Sequence, residues 1–200
     1  VLKNRELAEV LKGIAARGSA ALLQGPVAQA IVDKVTRHAN PGQMALADLA
    51  NYQPKRRAPL CHDLAAAGMT VEVCGFPPPS SGAIAIGQIL GILAQTPGAA
   101  MKPDAAGLPT ADWLHYYTEA ARLAFADRAQ YVADPDFVQP PGGSWLSLLD
   151  PAYLKSRAAL IGAQSLKVAQ PGQPGAVKTS FAPMPEQPEY GTSHISIVDA

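Results

Sequence analysis

Charge of one sign is what this sequence has least of. Sixteen Lys and Arg balance sixteen Asp and Glu, so no net basic surface points to nucleic acid or an anionic membrane. Long hydrophobic runs are missing too: the longest, Ala83 to Ala94, is interrupted by Gln88 and is too short to cross a bilayer. Histidine and cysteine are scarce, with four and two copies. Cys61-His62 has no second ligand pair at a metal-binding spacing, so neither a metal centre nor any other cofactor is expected. No internal repeat is visible. The chain begins at Val1 without a charged leader, and the expectation is that any signal peptide lies outside it. Both ends read as cuts through a longer precursor, since a helix starts at once and the last strand stops at Asp199-Ala200.

What is present is 48% apolar content over 200 residues, enough for a sizeable core. Asn4 is placed to cap a helix to about Arg17, with Leu7, Leu11 and Ile14 on one face and Gly18 ending it. Pro26 suits the first turn of a second helix facing Val27, Ile31 and Val35 inward, and Asn40-Pro41-Gly42 breaks it. A short helix around Leu46 to Asn51 follows. Residues 58–76 are the one β-rich internal stretch and read as a hairpin through Ala67-Gly68. Pro77-Pro78-Pro79 predicts an extended segment, and Ser80 or Ser81 caps a helix to about Ala94. Its Ile84, Ile86, Ile89, Leu90, Ile92 and Leu93 wrap most of the circumference, which predicts deep burial. Thr110 caps the longest helix, to about Ala133, with Trp113, Tyr117, Ala120, Ala124 and Tyr131 on one face. Asp150-Pro151 begins a further helix to about Gly162. The fold class is α+β, predominantly helical.

Cys61 and Cys74 are related by symmetry about the hairpin turn, so a cross-strand disulfide is open to them. The favoured reading is instead a pair of small buried hydrophobes with free thiols.

Residues 1–168 read as one helical part. From 169 to 191 the chain carries five Pro and three Gly, a composition that cannot bury a core and reads as a mobile linker. Residues 192–200 then alternate as a half-buried strand. Thr192 stands where the linker becomes strand. A hydroxyl there serves as a nucleophile if the chain is cut before it, with the freed α-amine as its local base.

Three motifs carry a resemblance. They are Phe76-Pro77-Pro78-Pro79-Ser80-Ser81-Gly82, the run Ala124-Phe125-Ala126-Asp127-Arg128 continuing to Asp134-Pro135-Asp136-Phe137-Val138, and Thr192-Ser193-His194 with Val198-Asp199. Together they resemble the γ-glutamyltranspeptidase patterns PPPSSGG, YADRxxYxGDPDFV and TTHxSVVD, in that order, and the likeness runs from about Leu2 to Ala200. The resemblance implies an N-terminal-nucleophile hydrolase, layered αββα, made as a precursor that cuts itself between Gly191 and Thr192. Thr192 is then the catalytic nucleophile, and its partners are glutathione or another γ-glutamyl compound, with water, an amino acid or a peptide as acceptor. This chain would be the second half of the large subunit, with 192–200 as the first strand of the small subunit. The rest of the precursor would be its missing partner. Export to the periplasm or outside the cell is implied as well.

Ser193 stands where the family commonly has Thr, and Gly191 where it often has a larger residue. Ser193 and His194 are candidates to orient the nucleophile. For His194 a packed strand histidine is favoured, because a Thr N-terminus needs no histidine base. Residues 77–82 read first as a rigid corner, with a substrate-facing helix N-terminus as the functional alternative. Asp127, Arg128, Asp134 and Asp136 read as caps and inter-subunit ion pairs, and Trp113, Tyr116 and Tyr117 as core. The family residues that grip the substrate cannot be mapped here, so the chain alone is expected to be inert. The competing readings are a related acylase, such as a cephalosporin acylase, and a non-catalytic homologue or structural domain.

Overall fold

In the computed structural model, which describes residues 3–66 and 69–176, the first helix starts at its cap. Asn4 Oδ1 accepts from the Leu7 N–H at 2.9 Å, opening α1 (Arg5–Arg17), and Gly18 at φ 65° closes it. Two units are compact in themselves, Val1–Arg56 and Arg57–Ala200. The first holds α1, α2 (Ala20–Leu23), α3 (Gly25–Thr36) and α4 (Leu46–Ala50). Its buried residues are Ala21, Ala28 and Val32. Leu7 and Leu11, on one face of α1, are 52% and 56% exposed. The neighbour of α1 in this unit is the four-residue α2, which is too short to cover two turns of leucine. At four residues, α2 also falls below the length that periodicity detects.

The second unit begins with a hairpin, β1 (Leu60–Ala66) antiparallel to β2 (Met69–Gly75). Its register sets Cys61 opposite Cys74, Cα to Cα 4.1 Å, and the two sulfurs are bonded. The free-thiol reading is therefore wrong. Cys74 is exposed and Cys61 half-buried, so neither is a small core hydrophobe. Pro77-Pro79 is a turn rather than an extended segment: the Ser80 N–H donates to the Pro77 carbonyl at 3.1 Å, and the Pro78-Pro79 bond is cis.

Helix α5 (Gly82–Leu93) is the centre of this unit, packed by the hairpin, α6 (Ala111–Tyr131), α7 (Pro151–Ala158) and the 3-10 turn Trp145–Leu149. One core joins Ile89, Ile92 and Leu93 of α5 to Ala120, Leu123 and Ala124 of α6 and to Leu154 and Ala158 of α7. A second joins Ile84, Tyr131, Leu148 and Tyr153. Each large apolar side chain buried this way contributes about 1.5–3 kcal/mol. Burial of α5 is not all-round: Ile86 is 51% exposed, while Gln88 is fully buried. At Gly87 the helix meets β1, where a Cβ would lie 2.7 Å from the His62 ring and 2.8 Å from Leu149. Both His62 ring nitrogens are buried without a partner among the described residues.

Thr110 Oγ1 accepts from the Trp113 N–H at 3.2 Å, and Asp150 Oδ1 from the Ala152 and Tyr153 N–H groups at 2.9 and 3.0 Å. Both caps sit where the sequence places them, although α7 ends four residues before Gly162. Trp113 and Tyr116 pack against the first core, and Tyr117 stacks on Trp113 at 5.2 Å. Among the described residues no helix is long and apolar enough to cross a membrane.

The bridge closes a short loop, with the two cysteines 13 residues apart. Closing a loop of that size removes denatured-state entropy worth about 3 kcal/mol. Alkylation should label no cysteine before reduction and two after it, and reduction should lower the unfolding free energy by up to about that amount. Two labels without reductant would show the thiols free.

Candidate functional site

Gly191, Thr192, Ser193 and His194 all lie outside the described residues. What the structure brings together is the stretch leading toward them. The coil from Ser165 to Ala176 is fastened to α6 by side chains on one ridge of that helix: Glu119, Leu123, Asp127 and Tyr131, spaced four apart.

Asp127 is the hub. It is 0% exposed, and its carboxylate accepts three hydrogen bonds and pairs with one guanidinium. Oδ2 takes Gln88 Nε2 at 2.9 Å and the Tyr153 hydroxyl at 2.7 Å. Oδ1 takes the Gly172 N–H at 2.8 Å and lies 3.2 Å from the Arg157 guanidinium. Arg157, itself 4% exposed, donates onward to the carbonyls of Leu123 at 3.2 Å and Gln170 at 2.8 Å. The Tyr131 hydroxyl donates to the Gly172 carbonyl. Pro174 is buried, and the Ala176 carbonyl accepts from the Gly142 N–H at 2.9 Å.

A buried charge without partners is prohibitive, and removing one member of such a pair costs about 3–5 kcal/mol. The cluster is therefore strongly specified. Burial raises the Tyr153 hydroxyl pKa well above its ordinary value, and the hydrogen bond to the Asp127 carboxylate raises it further. Tyr131 is raised too, by burial and by the Asp127 charge, with Arg157 opposing. Both phenols thus stay protonated as donors.

Eight residues before Asp127, Glu119 grips the same coil. It accepts the Ser165 hydroxyl at 2.7 Å and the Leu166 N–H at 2.8 Å, with Arg122 Nε at 3.2 Å. Burial opposes its charge, but the Leu166 N–H, the Ser165 hydroxyl, Arg122 and His115 outweigh it and hold the carboxyl below its ordinary range.

Asp127 is thus not a cap or an inter-subunit partner, because its contacts are buried inside this chain. Arg128 donates through Nε to Ser81 Oγ at 2.7 Å and lies over the Phe125 ring at 5.5 Å. Ser81 makes no side-chain cap on α5. The two line a cleft of about 210 Å³ with Pro79, Ala129 and Val132. Asp134 Oδ1 accepts the Asp136 N–H at 2.9 Å, and Arg57 pairs with Asp136 at 2.9 Å and Asp134 at 3.6 Å. These pairs are partly exposed and contribute about 0–1 kcal/mol each. Cys61, Glu72 and Cys74 converge closely enough for a metal ion, but the two sulfurs are bonded to each other, which leaves no thiolate ligand.

With the fold and this geometry in view, the chain belongs to the γ-glutamyltranspeptidase family, whose model matches residues 1–200. It is 35% identical over 198 residues to the glutathione hydrolase proenzyme of Escherichia coli (strain K12), covering 99% of this chain and 30% of that protein. It is 34% identical over 199 residues to the Acylase ACY 1 proenzyme of Pseudomonas sp. (strain V22), covering 100% and 31%. The solved γ-glutamyltranspeptidase of Helicobacter pylori superposes with a TM-score of 0.61 at 29% identity, over 85% of this chain and 46% of that one. The chain spans under a third of the length of the curated relatives it matches.

Glu119 and Gly172 were not singled out from the sequence. The available signal was two acids and a tyrosine on one ridge with Leu123, a pattern in which a charged residue occupies a core row.

Glu119→Gln should flatten the acid limb of stability. A depressed carboxyl stabilises above its ordinary pKa of 4.5, and that contribution is lost as pH falls through the folded value. Wild type should exceed the variant at pH 7, and the two should converge in acid. Parallel pH profiles from urea unfolding would show that Glu119 does not carry the dependence.

Proposed function

We propose that the protein containing this chain is an exported γ-glutamyltransferase or hydrolase of the αββα N-terminal-nucleophile class, acting on glutathione or related γ-glutamyl compounds. The observation that carries the proposal is the family match over residues 1–200, and the sequence Thr192-Ser193-His194, read as the family's TTH motif, supports the nucleophile. The cross-strand disulfide supports export, since such bonds persist in oxidising compartments.

In self-cleavage the Thr192 hydroxyl adds to the Gly191 carbonyl carbon. A C–O ester bond forms, the C–N bond breaks, and the hydroxyl proton passes to the nitrogen that becomes the Thr192 α-amine. Water then opens the ester, leaving the Gly191 carboxylate and restoring the hydroxyl. Gly191 eases this step because its backbone reaches geometries that a side chain resists. In turnover the same hydroxyl attacks the γ-amide carbonyl carbon and the C–N bond breaks. The α-amine relays the hydroxyl proton to the leaving amine. Water or an acceptor amine then resolves the γ-glutamyl ester and restores the hydroxyl. Ser193 and His194 are proposed to orient the nucleophile. Without the remainder of the precursor, this chain is proposed to be inert.

An acylase is the second reading, supported by the nearly equal similarity to the Acylase ACY 1 proenzyme. A non-catalytic homologue is the third, and an intact Thr192 with its flanking motif argues against it.

The test uses the full-length precursor and its Thr192→Ala variant, followed by intact mass and N-terminal sequencing. A new N-terminus at Thr192 in the wild type, lost in the variant, is the expected result. One uncut chain in both would leave Thr192 a strand residue and favour the non-catalytic homologue.

A further inference from the structure

The geometry points to a metal site in the β1–β2 hairpin, shut while Cys61 and Cys74 are bonded and open once they are reduced. It takes a soft divalent cation of the zinc type, held by the two thiolates and the Glu72 carboxylate. Nothing in it depends on the reaction at Thr192.

The antiparallel register divides the hairpin into two faces. Leu60, His62 and Val73 alternate onto one, where the His62 ring meets α5 at Gly87 and Leu60 packs on the second core. Cys61, Asp63, Glu72 and Cys74 share the other, as two neighbouring cross-strand pairs: Cys61 opposite Cys74, and Asp63 opposite Glu72. Three of the four are exposed and Cys61 is half-buried.

Two features set this patch apart from an ordinary solvated face. The ligand atoms of Cys61, Glu72 and Cys74 all lie within 4.8 Å of one another, with Glu72 Oε2 3.6 Å from Cys74 Sγ. Like charges directly opposite on a sheet are destabilising. Yet Asp63 faces Glu72, and neither has a cationic partner among the described residues. A dication bound beside them relieves that repulsion.

Opening the site takes two equivalents of a small thiol. The first, as thiolate, attacks the exposed Cys74 sulfur; the S–S bond breaks and Cys61 leaves as a thiolate. The second attacks the mixed disulfide, so Cys74 is released and the two small thiols depart joined as one disulfide. Two electrons have then entered the cysteine pair. On binding metal, each cysteine gives up its proton and bonds as thiolate. Zinc holds sulfur at about 2.3 Å, which sets two tetrahedral ligands about 3.8 Å apart and leaves a fourth position to water. Side-chain rotation supplies that separation, because the ladder between the strands and the packing on α5 hold the backbone in register. Soft thiolates favour zinc or cadmium over calcium or magnesium.

The experiment uses the full-length protein as wild type, Glu72→Gln and Cys74→Ser, reduced with a phosphine and kept free of oxygen. Cadmium is titrated in. Alkylation rates at Cys61 and Cys74 are followed by peptide mass mapping, and bound metal is counted by equilibrium dialysis. All three proteins are compared reduced, so none differs by a lost disulfide. Cadmium should slow alkylation of Cys61 and Cys74 together in the wild type, and dialysis should count one more cadmium per chain after reduction than before. Even outer-shell partners of metal ligands are worth about 10–100-fold in affinity, so Glu72→Gln should need at least about tenfold more cadmium for half protection. In Cys74→Ser, Cys61 should alkylate at its metal-free rate. An unprotected reduced wild type overturns the site, whether the sulfurs are misplaced or the hairpin has opened. Protection unchanged in Glu72→Gln overturns the three-ligand geometry, and metal uptake that does not rise on reduction overturns the gate.

Discussion

A carboxylate with no access to water is the constraint on which the Arg57–Ala200 unit turns. The buried Asp127 carboxylate needs several partners, and they come from three parts of the chain: Gln88 from α5, Tyr153 and Arg157 from α7, Gly172 from the following coil. Placing all four requires α5, α6 and α7 to meet at one point. The aliphatic core does not impose that alone, because Ile, Leu and Ala tolerate sliding at modest energetic penalty. A buried ion pair contributes little net stability, yet it is costly to leave half-made, so it selects one register among the many a greasy interface would accept. In this unit the apolar residues supply the driving force and Asp127 supplies the alignment.

The same logic explains why a stretch rich in proline and glycine is held in place. Residues 165–176 bury little apolar surface: Leu166 and Ala169 pack partly buried against the first core, and Pro174 is buried. Their backbone is instead bonded to charged groups that α6 and α7 keep in the interior. Glu119 does this at Leu166, and Asp127 with Arg157 and Tyr131 at Gln170 and Gly172. Glycine at 172 is the concession that allows the coil so close to Tyr153 and Arg157.

Much of the helical framework was legible because its signals are local. Asn4, Thr110 and Asp150 each cap the helix that follows them, and Gly18 ends α1. What was not legible depends on partners distant in sequence. Asp127 read as a cap or inter-subunit ion pair, because its partners inside the chain lie 39, 26 and 45 residues away. The symmetry that pairs Cys61 with Cys74 was visible, but pattern alone could not decide whether the sulfurs bond. The extended reading of Pro77-Pro79 missed a turn, since the sequence does not show which isomer a Pro-Pro bond takes. The motif around Thr192 was readable as a pattern, whereas the cluster that holds residues 165–176 against α6 was not. Backbone contacts such as those at Gly172 leave little trace in side-chain types.

The most direct measurement is hydrogen exchange at the Gly172 amide in the folded protein, wild type against Asp127→Asn. The account predicts that this N–H, bonded to a buried carboxylate, exchanges in the wild type only through openings that release the coil from α6, and far faster in the variant. Exchange at the free-chain rate in the wild type, or identical protection in both proteins, would contradict the claim that Asp127 organises this part of the fold.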